Sequence, residues 1–159
     1  MTDTPRTRTR RKDPVPTLDS QLCFALYRAS RAMTRAYAPL LEPLGITYPQ
    51  YLVLLALWQE DGVPVRRLGD LLELDSATLT PLLKRLENQD IITRTRCTVD
   101  ERVVRIYLTE AGRALSENAR TIPRAIAEKA GVDARSEANL DALRALKETL
   151  DHLTTALTT

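Results

Sequence analysis

Residues 75–108 read DSATLTPLLKRLENQDIITRTRCTVDERVVRIYL, a helix that runs directly into a two-stranded hairpin with an arginine near its tip. Asp75 and Ser76 open the helix, because their side-chain oxygens accept the free backbone N–H groups of a first turn. Leu79, Leu82, Leu83 and Leu86 recur at helical spacing and mark one buried face. Ser76, Thr78, Thr80, Lys84 and Arg85 fall away from it: short hydroxyls near the N-terminus, cations further on. Short polar groups at a helix start reach base edges in a DNA groove, while Lys and Arg hold phosphates. Asn88-Gln89-Asp90 ends the helix. Ile92–Arg96 and Val103–Leu108 are β-prone, and Thr98–Arg102 turns between them. Taken alone, the stretch also describes an ordinary helix and hairpin with a solvated charged face. What precedes it decides the matter. Val65–Leu72 is a short amphipathic helix and Glu73-Leu74-Asp75 a tight link, and short helix, turn and longer helix make a helix-turn-helix. With the hairpin, the fold is a winged helix-turn-helix.

The 159-residue chain carries a formal net charge of +2, with 43% apolar and only 4% aromatic residues. One domain with a real core fits that length, and the abundant leucine and alanine favour helix. A weak positive charge is compatible with nucleic acid if the cations gather on one surface. No apolar run reaches the length of a membrane span. Arg6, Arg8, Arg10, Arg11 and Lys12 are followed by no apolar segment, so residues 1–16 read as a disordered basic arm rather than a signal peptide. The two cysteines are expected as reduced thiols in a cytoplasmic protein.

Helix dominates the remainder. The first helix is expected over about Leu18–Ala38, with an apolar stripe of Leu22, Leu26, Ala29, Met33 and Ala36, broken up by Pro39, Pro43 and Gly45. Thr47 and Gln50 fit a capping box for a second helix, whose core face is Tyr51, Leu54, Leu55 and Trp58. Asp61–Pro64 reads as a turn. Thr109 caps a helix to about Ala130, kinked at Pro123 and closed by Gly131. A last helix, about Ser136–Leu157, repeats Leu143, Leu146, Leu150, Leu153 and Leu157 as a seam for another helix. A two-fold dimer would set two reading helices roughly 34 Å apart; a monomer with both terminal helices folded back on its core is the other reading. The organisation is thus a domain over 17–159, with a winged helix-turn-helix at about 48–108 and dimerisation helices at about 17–44 and 110–157.

These elements, with LGDLLELDSATLTPLLKRLENQDIITR, the DER at 100–102 and the closing LTEAG at 108–112, resemble the MarR family of winged-helix regulators over nearly all of Leu18–Leu157. The resemblance implies a homodimeric repressor that binds pseudo-palindromic double-stranded DNA. It places the helix Ser76–Gln89 in the major groove and Arg102 in the minor groove, with Asp100 holding the Arg102 guanidinium. An arginine suits a narrow, strongly negative groove, and a carboxylate two residues away can orient it.

Residues 18–51, LDSQLCFALYRASRAMTRAYAPLLEPLGITYPQY, are similar to the organic hydroperoxide resistance regulators within that family, marked by a reactive cysteine near the start of helix 1 served by tyrosines. Here these are Cys23, Tyr27, Tyr37 and Tyr48. Tyr27 follows Cys23 by one turn. Tyr37 is fourteen residues on, about 21 Å along one helix, so it reaches the thiol only from an antiparallel partner helix. A tyrosine hydroxyl donating to sulfur favours the reactive thiolate. The residues alone equally describe an inert core cysteine beside core tyrosines; the resemblance favours a sensor of organic hydroperoxides. Some relatives carry a resolving cysteine after the wing, and Glu110–Ala130 has none. A one-cysteine cycle follows, in which oxidised Cys23 is capped by a small-molecule thiol as a mixed disulfide or oxidised further.

Cys97 reads as a surface bystander, with Arg94 and Arg96 lending it some reactivity. His152 has no cluster of ligands around it, so no metal and no cofactor is expected, and no enzymatic motif is visible. Two other functions remain open: a repressor released by a small aromatic ligand in the dimer pocket, and a thiol peroxidase using Cys23.

Overall fold

The computed structural model describes residues 15–133 and 135–158. The basic arm expected over 1–16 therefore lies, apart from Val15 and Pro16, outside the described residues. The chain divides into two compact units, residues 1–33 and 34–159.

The first unit holds a 3-10 turn, Leu18–Ser20, and the opening of helix α1, Leu22–Leu41. The expected single helix from Leu18 is thus broken at Gln21, whose N–H bonds back to Leu18 O. Nothing from Val15 to Met33 is buried. Of the expected apolar stripe, Leu22 is 64% and Met33 44% exposed.

The second unit opens on the end of α1, which passes through Pro39 instead of stopping before it. Proline removes one intrahelical donor, but Leu41 is buried and Ala36, Tyr37 and Leu40 pack on the core. Tertiary packing therefore carries the helix one turn further, until Gly45 ends the following 3-10 turn with φ +67°. Helix α2, Tyr48–Gln59, starts where the capping residues place it. Gln50 Oε1 accepts from the Thr47 N–H at 2.8 Å and from its hydroxyl at 3.0 Å. Asp61–Pro64 is more than a turn: Val63–Pro64 forms strand β1. Proline lacks the donor a central strand needs, and β1 takes an edge.

Helices α3, Val65–Leu72, and α4, Ser76–Asn88, form the helix-turn-helix. Glu73 turns the chain between them with φ +53°. Asp75 caps α4 by accepting from Thr78 N at 2.7 Å. Leu79, Leu83 and Leu86 are buried and Leu82 half-buried, as the helical spacing requires. Strands β2, Ile92–Arg96, and β3, Val104–Leu108, make the wing hairpin. The sheet order is β1-β3-β2, all antiparallel, with Val63 opposite Ile106 and Ile92 opposite Leu108. Ile106 and Leu108 face the core and Tyr107 faces out, the period-two pattern of a half-buried strand.

Thr109 caps helix α5, Glu110–Ala119, by accepting from Gly112 N at 3.0 Å. A Cβ on Gly112 would lie 2.1 Å from Ile91 O, so α5 meets the foot of the wing with no clearance. The single helix expected to Ala130 is two: α6, Ile122–Lys129, restarts after Arg120-Thr121 with Pro123 in its first turn. Proline is tolerated there and not in a helix interior, so the expected kink becomes a break. Gly131, φ +76°, closes α6. Helix α7, Glu137–Thr158, contains no buried residue.

Candidate DNA-reading surface and redox residues

Ser76, Thr78, Thr80, Lys84 and Arg85 are all exposed on α4, opposite the buried leucines. Arg102 is exposed at the wing turn. A cleft of about 720 Å³ joins the two elements and includes Thr80, Arg66, Arg94, Arg102 and Arg105 in its lining. Arg66 and Arg105 were missed as site residues by sequence reasoning. Arg66 enters from the first turn of α3, beside β1, a two-residue strand too short for a pattern to show, and Arg105 through its place on β3. Arg105 Nη1 also donates to Gly62 O at 2.8 Å, which ties the wing to the β1 turn.

Two ion pairs brace this surface. Arg94 binds Glu87 through Nε at 2.8 Å and through Nη2, joining β2 to α4. The hydrogen bonds from Arg94 hold the Glu87 carboxyl below its usual range. Behind the wing, Asp61 Oδ1 accepts from Leu108 N (2.8 Å) and Gly62 N (3.0 Å), and Oδ2 from Arg113 of α5 (2.7 Å). Partial burial pushes this carboxyl up, but the Leu108 amide, Arg113 and the Gly62 amide outweigh it, so it lies below the ordinary carboxylate value.

One expected contact is corrected. Asp100 does not hold the Arg102 guanidinium; its Oδ1 accepts from the Arg102 backbone N–H at 3.0 Å. A two-residue separation lets the short carboxylate close an Asx-type turn on the nearest amide. Among the described residues no ion pair holds the Arg102 side chain.

Cys97, half-buried, has its backbone N–H bonded to Val103 O at 2.8 Å. The amides of Asp100 and Val99 lower its thiol from the ordinary cysteine value, with Arg105 adding to them. The expected neighbours Arg94 and Arg96 are not the cause.

Cys23 is exposed in the first unit. The Tyr27 hydroxyl engages Arg31, at 2.6 Å, rather than Cys23, and the Arg31 guanidinium lies 5.4 Å from the Tyr27 ring centre. In the second unit, Tyr37 and Tyr48 do come together, with ring centres 4.7 Å apart. Tyr51, read in the sequence as core alone, joins them 5.8 Å from Tyr37. Burial, then the neighbouring tyrosines, raise the phenols of Tyr37 and Tyr51. Both therefore stay protonated and remain hydrogen-bond donors. Among the described residues no group of acidic, histidine and cysteine side chains is arranged to hold a metal, and no single helix is long and apolar enough to cross a membrane.

A helix-turn-helix with an exposed polar face, beside an arginine-bearing wing, defines a winged-helix DNA-binding transcriptional regulator. The family model for the transcriptional regulators SarA/Rot matches residues 35–119. The organic hydroperoxide resistance transcriptional regulator of Bacillus subtilis is 50% identical over 133 residues, covering 84% of this chain and 88% of that protein. The regulator TtmR of Methylorubrum extorquens is 49% identical over 142 residues, covering 89% of this chain and 69% of that one. Among solved structures, reduced AbfR bound to DNA superposes with a TM-score of 0.66 at 38% identity, over 86% of this chain and 93% of that one. AbfR, from Staphylococcus epidermidis, is also known overoxidized on DNA and in a disulfide form. The chain belongs to the MarR family of winged-helix transcriptional regulators, in the branch that holds the organic hydroperoxide resistance regulators.

Proposed function

We propose that this protein is a homodimeric repressor that releases a pseudo-palindromic operator when an organic hydroperoxide oxidises Cys23. Ser76, Thr78 and Thr80 read base edges, Lys84 and Arg85 hold phosphates, and Arg102 enters the minor groove with its turn set by Asp100. The reading is supported above all by Cys23 standing exposed on a helix where Leu22 and Met33 of the expected apolar stripe are exposed as well. A second copy's α1, crossing antiparallel, would cover that stripe and bring its Tyr37–Tyr48 pair to the thiolate. Tyr27 completes the surroundings from the same helix.

The chemistry balances as follows. The Cys23 thiolate attacks the distal oxygen of ROOH, the O–O bond breaks, and the alcohol ROH leaves with a proton from the surroundings. Cysteine sulfenic acid results. A small-molecule thiol then displaces hydroxide as water and forms a mixed disulfide. AbfR is known on DNA in both its reduced and overoxidized forms. That favours the thiol cap, rather than added oxygen alone, as the species that wedges the helices apart in this protein. Operation in the cytoplasm, where the operator and reducing thiols are, fits the reading.

The test is DNA binding before and after cumene hydroperoxide plus free cysteine, with and without dithiothreitol. The parent should release DNA and recover with reductant. Cys23→Ser should bind DNA and ignore the oxidant, and Cys97→Ser should respond like the parent. Release by hydroperoxide that survives in Cys23→Ser and is lost in Cys97→Ser would put the sensing site at the other cysteine, and release of Cys23→Ser by a small aromatic acid would mark a ligand-released repressor. Sustained peroxide turnover with a thiol reductant would mark a peroxidase.

A further inference from the structure

The tyrosine pair assigned above to the sensor does not end at Tyr48. Tyr37 also packs on Tyr51, which is 2% exposed. Tyr51 meets Trp58 edge-on, with ring centres 6.1 Å apart. The Trp58 indole N–H donates to Gly112 O at 3.0 Å. Gly112 lies so near Ile91 O that a Cβ there would stand 2.1 Å from it, and Ile91 O also accepts from the backbone N–H and the hydroxyl of Thr109, each at 3.1 Å. Ile91 immediately precedes β2 and Thr109 immediately follows β3. An unbroken series of contacts thus leads from the Tyr37–Tyr48 pair to the root of the hairpin that carries Arg102.

We propose that Trp58 is the positioning residue that couples the state of the Tyr37–Tyr48 pair to the root of the wing. The inference rests on the redox reading above. Side chains in direct contact transmit displacement, and an open cleft of about 660 Å³ beside Tyr51 and Trp58 gives both rings room to move. When Tyr37 follows a modified sulfur, Tyr51 loses the ring it packs on and Trp58 loses the support of Tyr51. The indole N–H is a donor without an acceptor group of its own, and leaving it unpaired in a half-buried site is unfavourable. It therefore moves with the Gly112 carbonyl, and the first turn of α5 moves with it. Because Thr109, which caps that turn by accepting from Gly112 N, also donates to Ile91 O, the hairpin root shifts too. A change of wing angle separates Arg102 from its groove.

The experiment uses the full chain and the tightest duplex recovered from a random-sequence pool. Affinity is measured reduced and after complete modification of Cys23 by cumene hydroperoxide and cysteine, with completeness checked by mass. In the parent, modification should lower affinity about 5–150-fold, the range of ordinary allosteric coupling. Trp58→Phe keeps a ring against Tyr51 and removes the N–H. It should bind as the reduced parent does, modify at the parent rate, and lose most of that drop. Trp58 is the only tryptophan, so parent emission reports it directly: full modification should shift the emission, and Tyr37→Phe should abolish the shift. The emission result stands even if Trp58→Phe fails to fold. Release by Trp58→Phe as complete as the parent's, or unchanged parent emission after full modification, overturns the coupling alone. A parent that keeps its DNA after full modification overturns the redox reading as well.

Discussion

Arg102 is exposed on a turn whose geometry its own backbone amide and Asp100 fix. With its guanidinium unpaired among the described residues, binding DNA breaks no internal ion pair. Arg102→Ala should therefore leave stability unchanged and weaken operator binding by about 1–3 kcal/mol; a titration by fluorescence anisotropy measures it. Asp61 works the opposite way, as a structural hub for three donors. Its folded carboxyl lies below its ordinary value of 3.8. Between the two values the unfolded state binds more protons, so stability rises with pH there. The contribution is complete above about pH 4 and is lost as pH falls through the lower folded value. Asp61→Asn should accordingly be less stable than the parent at pH 7, and the gap should close in strong acid. Urea melts across pH 2–7 read this directly. A gap that persists unchanged into acid would assign the loss to packing.

The elements were legible in the sequence wherever local signals and burial agree. Asp75 and Thr109 mark helix starts because each side chain accepts from an amide three residues on. The hairpin shows because Ile92–Arg96 and Val103–Leu108 are β-prone runs around a charged turn, and the two strands pair there. Where the reading went astray, long-range contact outweighed local chemistry. Pro39 is carried inside α1 by packing of its neighbours. Val63–Pro64 becomes a strand only because β3 lies beside it. Pro123 opens a new helix rather than bending an old one. The candidate DNA face was readable from α4, whereas Arg66 and Arg105 needed three dimensions to join it. At this scale Thr109→Ala should lower stability by about 1 kcal/mol through the lost cap. A parallel thermal melt decides it, and no change would mean that the Ile91 contact alone holds the helix start.

Across the molecule, apolar surface is left uncovered on the terminal helices. Leu146 is 55% and Leu157 78% exposed on α7, and Leu22 is 64% exposed on α1. The leucine seam was visible as periodicity, but a sequence cannot say whether its partner is the same chain or another. The structure leaves α7 without a buried residue, which favours the second copy. Protein in which Leu146 and Leu150 are both changed to Glu should be monomeric by sedimentation and should lose operator binding while keeping the winged-helix core. The parent's melting temperature should rise with protein concentration, as mass action requires for folding linked to association. Parent binding should also weaken steeply with added salt, since each neutralised phosphate releases counterions.

Gly112 carries a genetic consequence. Every missense change at a glycine codon adds a side chain, and here the first carbon of that side chain would lie 2.1 Å from a backbone oxygen that has little room to yield. A selection for mutants that express the target constitutively should return changes at this position as readily as changes in the residues that touch DNA. They would arise behind the wing, far from any base, and would look in a mutation map like an outlying part of the operator-binding surface.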